Sequence, residues 1–196
     1  MSKFDPAAAR KERNKTIRWV VTIFFVTILV SGIISLVSDA VMSVSGIVVA
    51  FLILMFIILV GIVFDIIGVA VTSADEKPFH SMAARKVPGA QNAIKLLRNA
   101  ERVSSICNDV VGDICGVVSG SASATIAAQV LAQTSFFWPQ LITLLMSALV
   151  AGFTVGGKAI GKTFAVNSST TIVSFVGKVL YTLQGIPRSF GKKKKK

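Results

Sequence analysis

Three aspartates stand in stretches that are otherwise apolar: Asp65, Asp109 and Asp113. A carboxylate at the centre of a membrane helix costs roughly 2.5–3.5 kcal/mol to insert, so such groups face protein or water and mark function. Asp109 and Asp113 are four residues apart, hence on one helix face. Asp65 precedes Ser73 by eight residues and Asp113 follows Ser104 by nine. At about 1.5 Å per residue, both lie roughly 12–14 Å inside. Hard divalent cations take oxygen ligands, and Mg²⁺ is held by one or two carboxylates while keeping several waters. Asp65, Asp109 and Asp113, with Asn108 and Ser73 as neutral oxygens, could supply that set. Two other readings stay open. Lys158 could neutralise an aspartate and stand in for the cation, or two aspartates could titrate together as a proton carrier.

A second pattern points elsewhere. GGKAIGKT, residues 156–163, fits the phosphate-loop motif G-x-x-x-x-G-K-T. That loop works between a strand and a helix, where backbone N–H groups cradle phosphate. Here it follows an uncharged apolar run, and nothing downstream reads as an α/β domain with a strand-borne Asp for Mg²⁺. No nucleotide is expected at Gly156–Thr163. Cys107 and Cys115, eight residues apart in an apolar stretch, read as packing residues rather than a disulfide or metal pair. The lone His80 lies among loop residues, and transition-metal sites need several soft ligands. No nucleophile arrangement suggests an enzyme.

The elements that carry these groups follow from composition. The 196 residues are 53% hydrophobic and only 15% charged, where a soluble domain carries nearer a quarter. Uncharged or nearly uncharged runs over 19–38, 46–74, 104–131 and 136–157 each reach the roughly 20 residues a bilayer-crossing helix needs. The fold class is therefore an all-α integral membrane protein with four transmembrane helices. The polar, charged residues 1–18 and the length of the first run argue against a cleaved signal peptide. All 21 Lys and Arg fall in 3–18, 77–102 and 158–196, and none near 38–45 or 130–137. Four spans with both termini inside place every basic segment on the cytoplasmic side. Phe136, Phe137 and Trp138 would mark the outer interface, with Pro139 in the first turn of the last helix. The net charge of +12 thus reads as membrane topology, with no nucleic acid expected and the plasma membrane as the site.

On the basic side, 89–103 and 166–185 read as amphipathic helices at the membrane surface. Ile94 and Leu97 oppose Lys95, Arg98 and Arg102 in the first, and Ile172, Phe175, Val176 and Val179 share a side of the second. The tail 186–196 ends in lysines attracted to anionic lipid, worth about 1 kcal/mol per Lys near the surface. Gly112, Gly116 and Gly120 make consecutive GxxxG steps, a spacing for close helix packing and a homodimer.

Three stretches, in order, carry a family resemblance. GGKAIGKTFA (156–165) resembles the FGE-x-x-PKTLA signature of the CorC/CNNM (cyclin-M) magnesium and cobalt transporters, with Lys162, Thr163 and Ala165 matching. GVAVTSADEKPFHSMAARK (68–86) resembles their SETALTS segment at Ala70, Thr72 and Ser73, and PGAQNAIKLLRNAERVSSI (88–106) their juxtamembrane helix. The resemblance covers about 46–185 and implies three transmembrane helices with cytoplasmic juxtamembrane helices, binding or transporting Mg²⁺, with the helix at 19–38 as an addition. It also implies a metal held by Ser, Asn and Glu oxygens. The two family glutamates correspond to Gly68 and Lys158 here, the GNN motif only roughly to Asn108-Asp109, and the CBS and CorC-type domains are not expected. The site is thus expected either rebuilt around the aspartates or lost, leaving a structural or regulatory membrane protein that acts through its basic cytoplasmic face.

Overall fold

The structure is a computed structural model that describes residues 6–133 and 138–192. The regular structure of the described residues is all helical, without strands: α1 (Pro6–Val44), α2 (Ile47–Ser73), α3 (Lys77–Ala84), α4 (Ala90–Arg98), α5 (Ala100–Ser105), a π-helical segment (Ile106–Gly112), α6 (Asp113–Gln133), α7 (Pro139–Asn167) and α8 (Ser169–Lys192). Four stretches are long and apolar enough to cross a membrane: Thr16–Met42, Ile47–Ser73, Ala100–Gln133 and Pro139–Asn167. Their outer surface is crowded with exposed Phe24, Leu29 and Leu36 on α1, Leu52 and Phe56 on α2, and Leu144 and Leu149 on α7. An apolar surface of that extent is an aggregation liability in water. In lipid it is the solvent-matched surface.

Three of the spans run longer than the apolar windows; the second, Ile47–Ser73, keeps to its own. The helix of the first extends from Pro6 to Val44 rather than 19–38, because strong helix formers (AAARKER) precede the apolar run and, beyond it, Asp39 and Met42 are bonded to α6. That of the last continues to Asn167 rather than ending at 157, carrying Lys158 and Lys162 on regular helix. It stops where 167–171, NSSTT, offers side-chain oxygens that compete for backbone donors. There Ser168 N–H still bonds Phe164 O at 2.9 Å while α8 sets off from Ser168 O. Pro139 takes a first-turn position, as expected. Phe136 and Phe137 lie outside the described residues.

α1 lies along α6, and α2 is central, packed on α6 and α7. Toward the end where α1 meets α2, the core holds Met42, Leu54, Ile58, Ala122, Ile126 and Val150. Toward the basic end it holds Ala70, Val71, Phe79, Ala93, Ala165 and Val173, drawn from five helices. This second cluster changes the reading of 89–103. It is two helices, because Asn99 ends α4 with its own Nδ2 donating to Lys95 O at 2.9 Å, and its carbonyl accepts Val103 N–H at 3.0 Å to begin α5. Ile94 and Leu97 pack against the cluster, so this apolar face is turned to protein and not to lipid. On α8, Val173 is buried and Ile172 packs beside it, while Phe175 and Val179 point outward.

Candidate functional site

α2 carries Asp65 into the bundle, where the residue is 3% exposed. Two ammonium groups reach it from one face of α7. Lys158 Nζ stands 4.0 Å from Oδ1, and Lys162 Nζ 3.9 Å from Oδ2. Both gaps exceed a charge-assisted hydrogen bond by about 1 Å, so the carboxylate is compensated in charge without being bonded directly. Asp65 Oδ2 has no hydrogen-bond partner among the described residues. A third wall is Gly112, the last residue of the π segment: a Cβ there would sit 3.4 Å from Lys158 Nζ and 4.0 Å from Asp65 Oδ1. The wide π turn brings Cys107 O within 3.4 Å of the same point. Such turns are uncommon inside α-helices and frequently lie at functional sites.

Burial explains why two lysines are present. Taking a carboxylate out of water costs several kcal/mol even after relaxation, and among the described residues no hydrogen bond to Oδ2 offsets it. Lys158, 22% exposed, supplies the less screened charge, while Lys162, at nearly the same distance, is 55% exposed and contributes through a wetter path. Lysine stems run along apolar surface while the ammonium moves toward polar partners, which suits both positions.

The other expected ligands lie apart from this point. Asp109 and Asp113 are both exposed, and Asp109 accepts from Ser105 Oγ at 2.7 Å. Ser73 is exposed at the last residue of α2, about 12 Å along the helix from Asp65. Asn108 is nearer to the wall of the site: its Nδ2 donates to Ser104 Oγ at 3.2 Å, and its buried Oδ1 has no hydrogen-bond partner among the described residues. The three aspartates therefore do not converge, and among the described residues no three His, Cys, Asp or Glu side chains are placed to hold one metal ion. The physical reason is burial: only Asp65 is on the inward side of its helix.

Two groups emerge that the residue spacing had not singled out. Lys162 is four residues after Lys158, the interval that puts both on one helix face, and this was legible in GGKAIGKT. Asp39 is a fourth acid in apolar surroundings, just past the first charge-free window. Its carboxylate accepts from Ser121 Oγ at 3.2 and 3.3 Å and from Thr125 Oγ1 at 3.5 Å, tying α1 to α6. One turn on, Gln129 Nε2 donates to Met42 O at 2.7 Å.

The eight residues of GGKAIGKT lie inside α7, so their N–H groups are committed to the helix. Their glycines serve packing: a Cβ at Gly157 would collide with Ile62 Cδ1, and one at Gly161 would lie 2.8 Å from Ile66 Cγ1. Gly116 and Gly120 differ from the expectation of close packing, since a Cβ at either meets nothing within 4 Å. They line a cavity of about 220 Å³ between α6 and α7 with Ser119, Ser123 and Thr154. Of the three GxxxG glycines, only Gly112 is closely approached. Cys107 is buried and Cys115 half-buried against Gly61, and both are free thiols. His80 lies within α3 rather than in a loop, and its Nε2 is 3.2 Å from Glu76 Oε1, which also accepts from Arg98 Nε at 3.0 Å.

Compared with known proteins, the chain matches no family model, no curated protein and no solved structure.

Proposed function

We propose that this chain is a multi-pass plasma-membrane protein, a divergent counterpart of the CorC/CNNM membrane domain in which lysine ammoniums stand in for the divalent cation. Both termini and the basic segments face the cytoplasm, and the protein works as a structural or regulatory scaffold through that basic face. The observation that carries this reading is the Asp65 carboxylate, 3% exposed and set between Lys158 and Lys162 at 4.0 and 3.9 Å. Lys158 stands where the resemblance expects a glutamate ligand, so the sign of the charge at that point is reversed. The scaffold is a homodimer, joined on the side of Gly116 and Gly120.

Thermal unfolding of the detergent-purified protein against Mg²⁺, with Na⁺ at matched ionic strength, tests this. A ligand that binds only the folded state stabilises by about 2.7 kcal/mol at one hundred times its Kd. The wild type should show no Mg²⁺-specific rise. A rise that Asp65→Asn abolishes would sink the scaffold reading.

A second reading rests on a separate observation. Asp65 Oδ2 and Asn108 Oδ1 are buried acceptors without hydrogen-bond partners among the described residues. Buried acceptors of this kind call for a donor or a cation. A divalent cation, Mg²⁺ or Co²⁺, could be transported past Asp65 once the lysines swing aside. Uptake of Mg²⁺ into proteoliposomes, lost in Asp65→Asn, would establish it.

A further inference from the structure

A cavity of about 720 Å³ opens at the basic end, between the turn from α3 to α4 and helix α8. Its wall carries Lys86, Gln91, Asn92, Lys95, Tyr181 and Gln184, and includes no acid. Neither lysine is paired with a carboxylate among the described residues, whereas Arg98, Lys158 and Lys162 all are. The volume falls within the roughly 300–1,000 Å³ of small-molecule sites.

The walls are held by main chain. Gly89 has φ 88°, and a Cβ there would stand 2.6 Å from Lys178 N; one on Gly177 would stand 2.7 Å from Gly89 O. α4 and α8 therefore cross backbone to backbone beside the cavity. Asn92, buried, donates through Nδ2 to Gln184 Oε1 at 3.4 Å across the same seam.

On another side of α8, Phe175, Val179 and Leu183 recur every four residues and are 67%, 41% and 56% exposed. A stripe like this seats a helix at the boundary of headgroups and acyl chains. Tyr181 and Gln184 belong to the same helix, so a helix seated in that way would hold the cavity at headgroup depth.

We propose that this cavity binds a phosphate-bearing anion, the headgroup of an anionic phospholipid taken from the adjoining leaflet. Lys86 and Lys95 attract the singly charged phosphodiester, and the Tyr181 hydroxyl with the Gln91 and Gln184 amides offers donors to its oxygens. The inference rests on the reading that the basic end is the working face, and names its ligand.

Native mass spectrometry of the full chain in detergent, titrated with phosphatidylglycerol, phosphatidylcholine or glycerol 1-phosphate, decides the matter. Wild type should retain phosphatidylglycerol roughly tenfold better than phosphatidylcholine, and the double variant Lys86→Gln/Lys95→Gln should lose that preference. Lys195→Gln/Lys196→Gln, with the same loss of charge in the tail, should keep it. Tyr181→Phe, a single hydroxyl removed from an exposed side chain, should weaken retention by a smaller factor without touching the charge. If the two lysine pairs weaken binding equally, the attraction is diffuse: the cavity assignment fails and the basic-face reading survives. If wild type shows no preference for the anionic lipid, both fail. If glycerol 1-phosphate displaces the lipid at equal concentration, the ligand is a soluble phosphate and the lipid source is overturned.

Discussion

Asn108 occupies the space in which a side chain at residue 68 would stand. A Cβ on Gly68 would lie 2.8 Å from the amide carbon of Asn108 and closer still to its oxygen. α2 and the π segment thus interlock through a missing side chain. Gly68→Ala must expel the amide, and overpacking of this kind costs about 1–3 kcal/mol. Its thermal midpoint in detergent should fall, and Gly68→Glu should fall further. An unchanged midpoint would mean that the π segment can move off α2 freely.

The Asp65–Lys158 relationship predicts a coupling. Breaking a fully buried pair costs about 3–5 kcal/mol. Here Lys162 remains and Lys158 keeps some contact with solvent, so Lys158→Gln should cost nearer 1–2 kcal/mol after that discount. Asp65→Asn, which leaves two ammoniums facing an amide, should also destabilise. The double variant should recover about 0.5–3 kcal/mol relative to the sum of the singles. Unfolding titrations of all four proteins measure this, and strict additivity would remove the charge-substitution argument.

At the other end, Asp39 and Gln129 fasten α1 to α6. Hydrogen bonds between membrane helices average about 0.6 kcal/mol, so either single variant should change global stability little. Asp39→Ala with Gln129→Leu should instead free the end of α1 locally, raising amide exchange over residues 38–44. No change there would show that Ile23 and Val30, packed on Val110, Ile114 and Val118, suffice to hold the helix.

Gly116 and Gly120 face open space within one protomer. Gly120→Leu should therefore leave protomer stability within about 0.5 kcal/mol, as for a surface substitution. If a second copy packs on that side, the same variant should turn dimer into monomer by light scattering. A variant that stays dimeric would move the interface elsewhere.

How far these features were legible depends on the kind of signal. Charge-free runs of nineteen or more residues announce a span whatever it packs against, and the four spans are where such runs lie. Which way an amphipathic helix turns is another matter: Ile94 and Leu97 would look the same beneath lipid as against Phe79 and Val173. Asp39 was hidden because the helix outruns the apolar window that seemed to define it. Of the aspartates, sequence distinguished none by burial, since an exposed Asp113 and a buried Asp65 sit in equally apolar neighbourhoods. The π turn has no composition signal, yet it places Gly112 beneath the Asp65–Lys158 pair.

The α2–α7 contact has one last property. Ile62 and Ile66 meet Gly157 and Gly161, while Asp65 lies between Lys158 and Lys162. The isoleucines, the glycines and the lysines each recur after four residues, so their contacts stand one helical turn apart, with the single Asp65 between the two lysines. A slide of α7 by about 5.4 Å would set Gly161 on Ile62 and leave Asp65 facing Lys162 alone. The contact itself selects the present register, because the slide would bring the Cβ of Ala165 onto Ile66 and take Lys158 away from Asp65. The corner at Ser168, where α8 is anchored through Val173, holds the same register, and a force applied to α8 is thereby a force on the charge of the buried carboxylate.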